Sequence, residues 1–399
     1  RKRPPGLPRL PHRGPWAFSR MIAADDVGSA WKAVPWARVF SGEIIADRLF
    51  LRSALIRKDV LPLFAGKDMP LTFACKSGAD AEKANEGFRD GSDGTALNKV
   101  GRRWGRDNVE IGAAWVVKPS DSSNAFGVRF CAEAALAACV SGAVAEDAAR
   151  VSPWIAQRAV ASLLLDGRKF HLRALLLVVG DLDAFVFDDA RVLVAPCAPT
   201  NDYDEHAHVT NRSLNMRHAQ YDVERHNMSL KECAALDGGG DEPRWPRGGA
   251  LRQMRDISAA LSAQLVKHSE SLKEARGTAN DGDADAPPRP PQEAKPKSKR
   301  VFFPLPNTWE LFGLDFMVDT DREIVLLEAN PEPSMDMWGL TKVAILRGLC
   351  PISQGVPRSN EVSTGFTKVF SKRFEAALQQ MRAQRAAAAK KTAQRAAAA

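Results

Sequence analysis

Residues 307–335, NTWELFGLDFMVDTDREIVLLEANPEPSM, constrain this chain more than any other stretch. Two apolar runs, Trp309 to Val318 and Glu323 to Ala329, flank the polar turn Asp319-Thr320-Asp321-Arg322, which predicts a β-hairpin. With Thr320 and Asp321 at the turn centre, Asp315 faces Leu326 and lies diagonally from Glu328, roughly 7–8 Å away. Asp315, Glu328 and Asn330 then share one face. A carboxylate between Leu314 and Phe316 is costly to desolvate unless a cation neutralises it. Two carboxylates and an amide oxygen suit a hard divalent ion such as Mg2+. A three-residue turn would shift the register and send Asp315 to the opposite face. The competing expectation is an amphipathic hairpin whose polar residues meet water; against it, Glu328 and Asn330 close a strand and run into the rigid Pro331-Glu332-Pro333.

A chain of 399 residues, 45% hydrophobic, can bury a substantial core and suggests two or three structural units. Its six cysteines form no CxxC pair and no ligand cluster with the seven histidines, which disfavours a zinc site or disulfide framework and fits a reducing, cytoplasmic compartment. The net charge of +8 favours acidic partners, although the chain ends carry much of the surplus. No apolar run approaches the roughly 20 residues of a membrane span. Residues 1–30 form a flexible basic segment; the basic residues of 1–24, without acids, fit an organellar import peptide, whereas its prolines and non-Met start fit a trimmed or internal beginning.

In order, residues 31–110 make an N-terminal subdomain, with helical rhythm over 31–64, the close-set Arg48, Arg52, Arg57 and Lys58, and a Gly-, Asp- and Lys-rich loop over 65–106. The charge run is either a solvated helix face or a surface turned to phosphates. Residues 111–345 hold strands around 113–130, 154–160, 170–179, 184–188 and 191–195, and a helix over 132–144. One strand after another implies an antiparallel sheet with few helices on it. Beyond 215 the pattern is weak, and 276–300 reads as a disordered insertion, acidic then proline-rich then basic. Residues 346–399 read as a helical basic tail ending in AAAAKKTAQRAAAA.

The polar residues embedded in apolar strands are Lys118, Gln157, Lys169, Arg173, Asp315, Glu328 and Asn330. Singly, each has a structural explanation such as a snorkelling lysine or a buried ion pair. Jointly, three cations beside an anionic triad are what a nucleoside triphosphate and its metal require.

WVVKPSDSSNAFGVRF at 115–130, WIAQRAV at 154–160, LLLDGRKFHLRALLLVVGDLDAFVF at 163–187, HVTNRSLN at 208–215 and the hairpin at 309–335, with ALIRKDVL at 54–61, resemble the tubulin-tyrosine ligase family in its own order. The histidine of KFHLR is nearest the branch that includes a fungal processing-body protein. The resemblance implies an α+β ATP-grasp fold, with antiparallel sheets, flanking helices and the nucleotide between subdomains. By the same resemblance Lys118 and Lys169 contact ATP phosphates, Gln157 and the backbone around Arg158 hold adenine, and Arg173 meets phosphate and acceptor carboxylate. Thr210 and Asn211 line the amino-acid and acyl-phosphate site, and Asp315, Glu328 and Asn330 bind Mg2+. Arg173, Lys169 and Glu328 are the catalytic candidates.

The implied activity is ATP-dependent joining of a free amino acid to a protein carboxylate through an acyl-phosphate. The implied setting is a cytoplasmic monomer, associated with the cytoskeleton if the acceptor's acidic tail is tubulin's, without membrane or nucleic-acid partners. The chain departs from the family at Asn124-Ala125-Phe126-Gly127, where Gly-x-Gly is common, at Arg158 in place of lysine, at His171 in place of aspartate, and at Ser53 in place of a lysine. These departures keep a second expectation open: a non-catalytic ATP-grasp module that recruits partners through its basic ends. A kinase is disfavoured by the lack of Walker, HRD and DFG signatures.

Overall fold

The computed structural model describes residues 33–91, 95–102, 114–122, 125–199, 204–236, 240, 243, 245–280, 301–353 and 365–372. Residues 1–30, most of the 276–300 segment and the tail beyond 372 lie outside the described residues.

Two antiparallel sheets organise the chain. The smaller has the order β1-β4-β2-β3, from Thr72–Cys75 (β1), Trp115–Pro119 (β2), Arg129–Cys131 (β3) and Trp154–Arg158 (β4). Alternation divides its faces. Trp115, Val117 and Ala156 point into a core with the helices Gly78–Asp90 and Leu136–Glu146, leaving Val116, Lys118 and Gln157 on the other face. The helix Gly78–Asp90 and β1 occupy part of the stretch read as a loop over 65–106. Its glycines and charges suggested irregular backbone, but Ser77 caps the helix by accepting from the Asp80 N–H, and Ala81 and Ala84 form its buried stripe.

The larger sheet, from Arg168–Val179 (β6), Asp183–Val194 (β7), Trp309–Val318 (β9), Ile324–Pro331 (β10) and Phe366–Ser371 (β11), has the order β10-β9-β6-β7-β11. Leu164–Leu165 (β5) pairs with Arg168–Val179 (β6), and Asn227–Ser229 (β8) pairs with Asp183–Val194 (β7). Trp309–Val318 (β9) and Ile324–Pro331 (β10) are the expected hairpin. The segments 184–188 and 191–195 are one strand rather than two. The helix Ala250–Asn280 crosses one face, burying Met254, Ile257, Leu261 and Leu265 against Phe312, Phe316 and their neighbours. It runs five residues into the stretch expected to be disordered. Phe366–Ser371 (β11), read from composition as part of a helical tail, is instead a strand on β7 that buries Phe366 and Phe370.

The hairpin register differs from the expected one twice, and the differences cancel. Asp319 N–H donates to the Glu323 carbonyl, so the loop is the three residues 320–322, with Arg322 left-handed at φ 66°. Asp319 Oδ1 fastens it by accepting from the Asp321 and Glu323 N–H groups at 3.0 and 2.9 Å. Unrelieved, that loop would put Glu328 on the face opposite Asp315. A bulge between Leu326 and Glu328 inserts one residue, so Glu328 stands directly across from Asp315 rather than diagonally.

The basic run near the N-terminus is a clasp, not a solvated face. Arg52 pairs with Glu310 in the core, Glu310 also accepts from the Leu49 N–H at 2.9 Å, and Arg48 reaches Glu332 at 2.9 Å. Burial raises the Glu310 carboxyl's proton affinity against the opposing pull of Arg52. Removing one partner of such a pair strands the other charge in a dry core, costing about 3–5 kcal/mol. Glu310→Ala is therefore expected to lower the urea midpoint markedly without changing the slope, whereas Glu43→Ala, in an exposed pair with Arg38, leaves it within error.

Candidate nucleotide and metal site

A cleft opens between the two sheets. On β6, alternation sends Lys169, His171 and Arg173 into it; on β9 it sends Asp315 and Met317. Arg173 and Asp315 are cross-strand partners, and the guanidinium grips the carboxylate with Nε at 2.6 Å and Nη2 at 2.5 Å. Burial works against the charged guanidinium, but Asp315 outweighs it and raises Arg173's proton affinity.

Glu328 is half-buried across the ladder. Burial pushes its carboxyl up, but Lys58 and Lys118 together with Asn330 pull harder and hold it at about 2. Asn330 completes the set, its Nδ2 donating to Asp315 Oδ2 at 2.9 Å and to Glu328 Oε1 at 3.2 Å. Two carboxylates in direct register repel unless cations intervene. Arg173, Lys58 and Lys118 supply that charge here. The donor set fits a hard divalent ion: two acids and an amide converge in a cleft that already demands positive charge. Among the described residues no three of His, Cys, Asp and Glu gather as a metal site, so the set depends on the amide of Asn330.

The lysines come from three separate segments. Lys118 on β2 is buried, and desolvation lowers it to about 8 against the opposing pull of Glu328. Lys169 lies 3.1 Å from His208 Nδ1. Lys58, outside the expected site set, is buried 3.3 Å from Glu328 Oε2 and donates to the Ser122 carbonyl. Its sequence signals were the basic run and its place in the block at 54–61, while Ser53 begins the helix Ser53–Ile56 and stays out of the cleft lining.

The remaining candidates are distributed unevenly. Gln157 borders the cleft and donates to Thr72 Oγ1 at 3.1 Å. Arg158 shares the face of Trp115, with its guanidinium 4.1 Å from the Phe88 ring centroid. Its side chain therefore belongs to the core of the small sheet, and what it offers the cleft is backbone. Asn211 caps the turn Arg212–Asn215 through Oδ1. Thr210 meets His171 Nδ1 at 2.5 Å, while His171 Nε2 is 3.6 Å from Asp315. Desolvation brings His171 and His208 to about 4, so both rings are neutral near pH 7. In the loop above, Ala125 adopts φ 60° and Gly127 φ 72°, and Phe126 is exposed. Alanine thus occupies a left-handed position that glycine takes at lower cost.

A model of the tubulin-tyrosine ligase family matches residues 79–235 and 288–348, more than half of the chain. The chain is also similar to two yeast proteins, each named a probable tubulin–tyrosine ligase. With the Saccharomyces cerevisiae protein it shares 25% identity over 185 residues, 44% of this chain and 20% of that protein. With the Schizosaccharomyces pombe protein it shares 25% identity over 191 residues, 47% of this chain and 37% of that protein. The chain thus matches well under half the length of either relative.

A lysine lowered to about 8 by desolvation regains its proton when a polyanion arrives. Binding of Mg·ATP at pH 8 is therefore expected to take up protons, measured as a dependence of calorimetric enthalpy on buffer ionisation enthalpy. The uptake disappears in Lys118→Gln; equal uptake by that variant would contradict the assignment.

Proposed function

Since the chain belongs to the tubulin-tyrosine ligase family, we propose that it is an ATP-dependent ligase that joins a free amino acid to a carboxylate of an acceptor polypeptide. The observation that carries this reading is the direct pairing of Asp315 with Glu328, ringed by Lys58, Lys118, Lys169 and Arg173. Two antiparallel sheets around a cleft agree with the ATP-grasp arrangement the family implies.

In this reading Asp315, Glu328 and Asn330 hold Mg2+, which when bound supplies Lewis-acid stabilisation of phosphate oxygens. Lys58, Lys118 and Lys169 offset the triphosphate charge. Val116, Met317 and Leu327 offer apolar walls to a base, with Gln157 at their edge. Arg173 orients the acceptor carboxylate for attack on the γ-phosphorus, which breaks the bond to the β–γ bridging oxygen, releases ADP and forms the acyl-phosphate, its planar fork matching two oxygens. The amine of the free amino acid then displaces phosphate from the acyl-phosphate, forming the amide. Neutral His171, fixed by Thr210, presents Nε2 beside Asp315 as a hydrogen-bonding group. No side-chain nucleophile is needed, and positioning with electrostatics supplies the catalysis.

A second reading, a nucleotide-binding module without turnover, draws on one observation: left-handed Ala125 with exposed Phe126 in the loop that would cover the phosphates. The two are separated by measuring ATP- and Mg2+-dependent transfer of labelled amino acids onto candidate acceptors, tubulin among them. The ligase reading expects transfer that falls at least about 100-fold in Glu328→Ala, in line with losing one preorganised electrostatic group. Transfer unaffected by that substitution would defeat it, and nucleotide binding without any transfer would favour the module.

A further inference from the structure

The hairpin that carries the acids leaves the sheet through a strained turn. β10 ends at Pro331, opposite Phe312 on β9, and the next residue, Glu332, takes φ 54°. Left-handed backbone is costly for any residue with a Cβ. A residue before proline, moreover, ordinarily stays extended, and Glu332 stands between Pro331 and Pro333. Both preferences work against the observed turn, and such a conformation persists only where its surroundings over-determine it.

The surroundings that do so come from the other end of the chain. Buried Arg48 brings Nε to 3.1 Å and Nη2 to 2.9 Å of one Glu332 oxygen, Oε1. It is itself anchored, since Nη1 donates to the Asp47 carbonyl at 2.7 Å and Glu310 holds the neighbouring Leu49 N–H. On the other side of the turn, Pro333 is buried against Gly313 of β9. A Cβ added at Gly313 would meet the proline's Cβ at 3.1 Å and the Arg173 Cδ at 3.4 Å, so the turn folds back beside the arginine that grips Asp315. Asn330 stands directly across from Gly313. Its amide, two residues before the strained position, bonds to Asp315 and Glu328 at once. Relaxation of Glu332 to extended backbone would withdraw Pro333 from Gly313 and swing the end of β10 that carries Asn330. Neither Arg48 nor Glu332 lines the cleft, so the direct route from the pair to the acids is that backbone.

We propose that Arg48 and Glu332 are positioning residues for the metal site: their ion pair holds the turn after β10 in its left-handed form, which keeps the Asn330 amide between Asp315 and Glu328 and backs the Arg173 fork. The inference rests on the reading of Asp315, Glu328 and Asn330 as the Mg2+ ligands, and adds to it a pair that the ion never touches.

The test measures the affinity of the full chain for a labelled non-hydrolysable ATP analogue by fluorescence anisotropy, in Mg2+ and in EDTA. Arg48→Gln and Glu332→Gln are each expected to weaken binding in Mg2+ roughly tenfold, about 1.4 kcal/mol, the scale of the left-handed strain that the pair restrains. Binding in EDTA is unchanged. Because the two side chains act as one unit, the double variant binds no more weakly than either single one. Arg48→Lys keeps most of the affinity, since both guanidinium bonds go to a single oxygen that an ammonium also reaches. Phe370→Leu, on β11 at the far edge of the same sheet, controls for lost stability and leaves both affinities unchanged. Equal losses in Mg2+ and EDTA, additive losses in the double variant, or the same loss in Phe370→Leu would make the pair merely structural and overturn the proposal. Undiminished Mg2+-dependent binding by folded Arg48→Gln would overturn it as well. A wild-type chain that binds the analogue no better in Mg2+ than in EDTA is a separate result, which fails the metal reading itself.

Discussion

The structure turns on the cost of holding two carboxylates opposite one another inside a half-buried cleft. Asp315 and Glu328 occupy directly paired positions on β9 and β10, where like charges destabilise a sheet. Cations drawn from distant parts of the chain meet that cost. Arg173 comes from the next strand, Lys118 from the other sheet and Lys58 from the N-terminal region. Each is buried or half-buried, so each charge is felt strongly and depends on the others. The site is thus a balanced set, and in the proposed function a divalent ion and a triphosphate exchange for existing partners: the ion for the cations around the acids, the phosphates for the acids around the lysines.

Holding that set together falls to ordinary packing. The clasp of Arg52 on Glu310 and Arg48 on Glu332 fixes the N-terminal run against the hairpin, which brings Lys58 to Glu328. Period-two alternation in β2 and β4 turns Trp115 and Arg158 into one core and Lys118 and Gln157 toward the cleft. A one-residue slip in β2 would bury Lys118 in that core and expose Trp115, and one in β4 would bury Gln157 there and turn Arg158 out. The helix Ala250–Asn280 and the cluster around Trp338 cover the two faces of the large sheet, leaving open the part of one face that carries Lys169, His171 and Arg173.

What the sequence disclosed follows from which signals are local. The hairpin, the strands β2, β4, β6 and β7 and the polar residues embedded in them stand out because alternation and apolar runs are short-range patterns, whereas β1, β8 and β11 lay in stretches read as loop, unpatterned chain and helix. The register was not local: Asp319 closes a three-residue loop and Leu327 bulges, two offsets that a turn rule alone does not supply. The helix Gly78–Asp90 hid behind glycines and charges, although Ser77 and Asp80 carried its capping signal. The helix Ala250–Asn280 hid because serines interleave its buried stripe, with Ser258 and Ser262 bonding back to carbonyls one turn earlier. Lys58 looked like one more member of a basic run. Only the tertiary clasp separates it from Arg48 and Arg52, and β11 acquires its pattern only from pairing with β7.

The proposed metal site depends most on the bulge at Leu327, which places Glu328 opposite Asp315. Electron paramagnetic resonance of Mn2+, a spectroscopic substitute for Mg2+, measures this most directly when free ion is titrated with the protein and ATP. The account predicts that the wild-type chain takes up Mn2+ with ATP in a one-to-one ratio, and that deleting Leu327 abolishes the uptake while circular dichroism shows the sheets intact. Undiminished uptake by the folded deletion variant would contradict it.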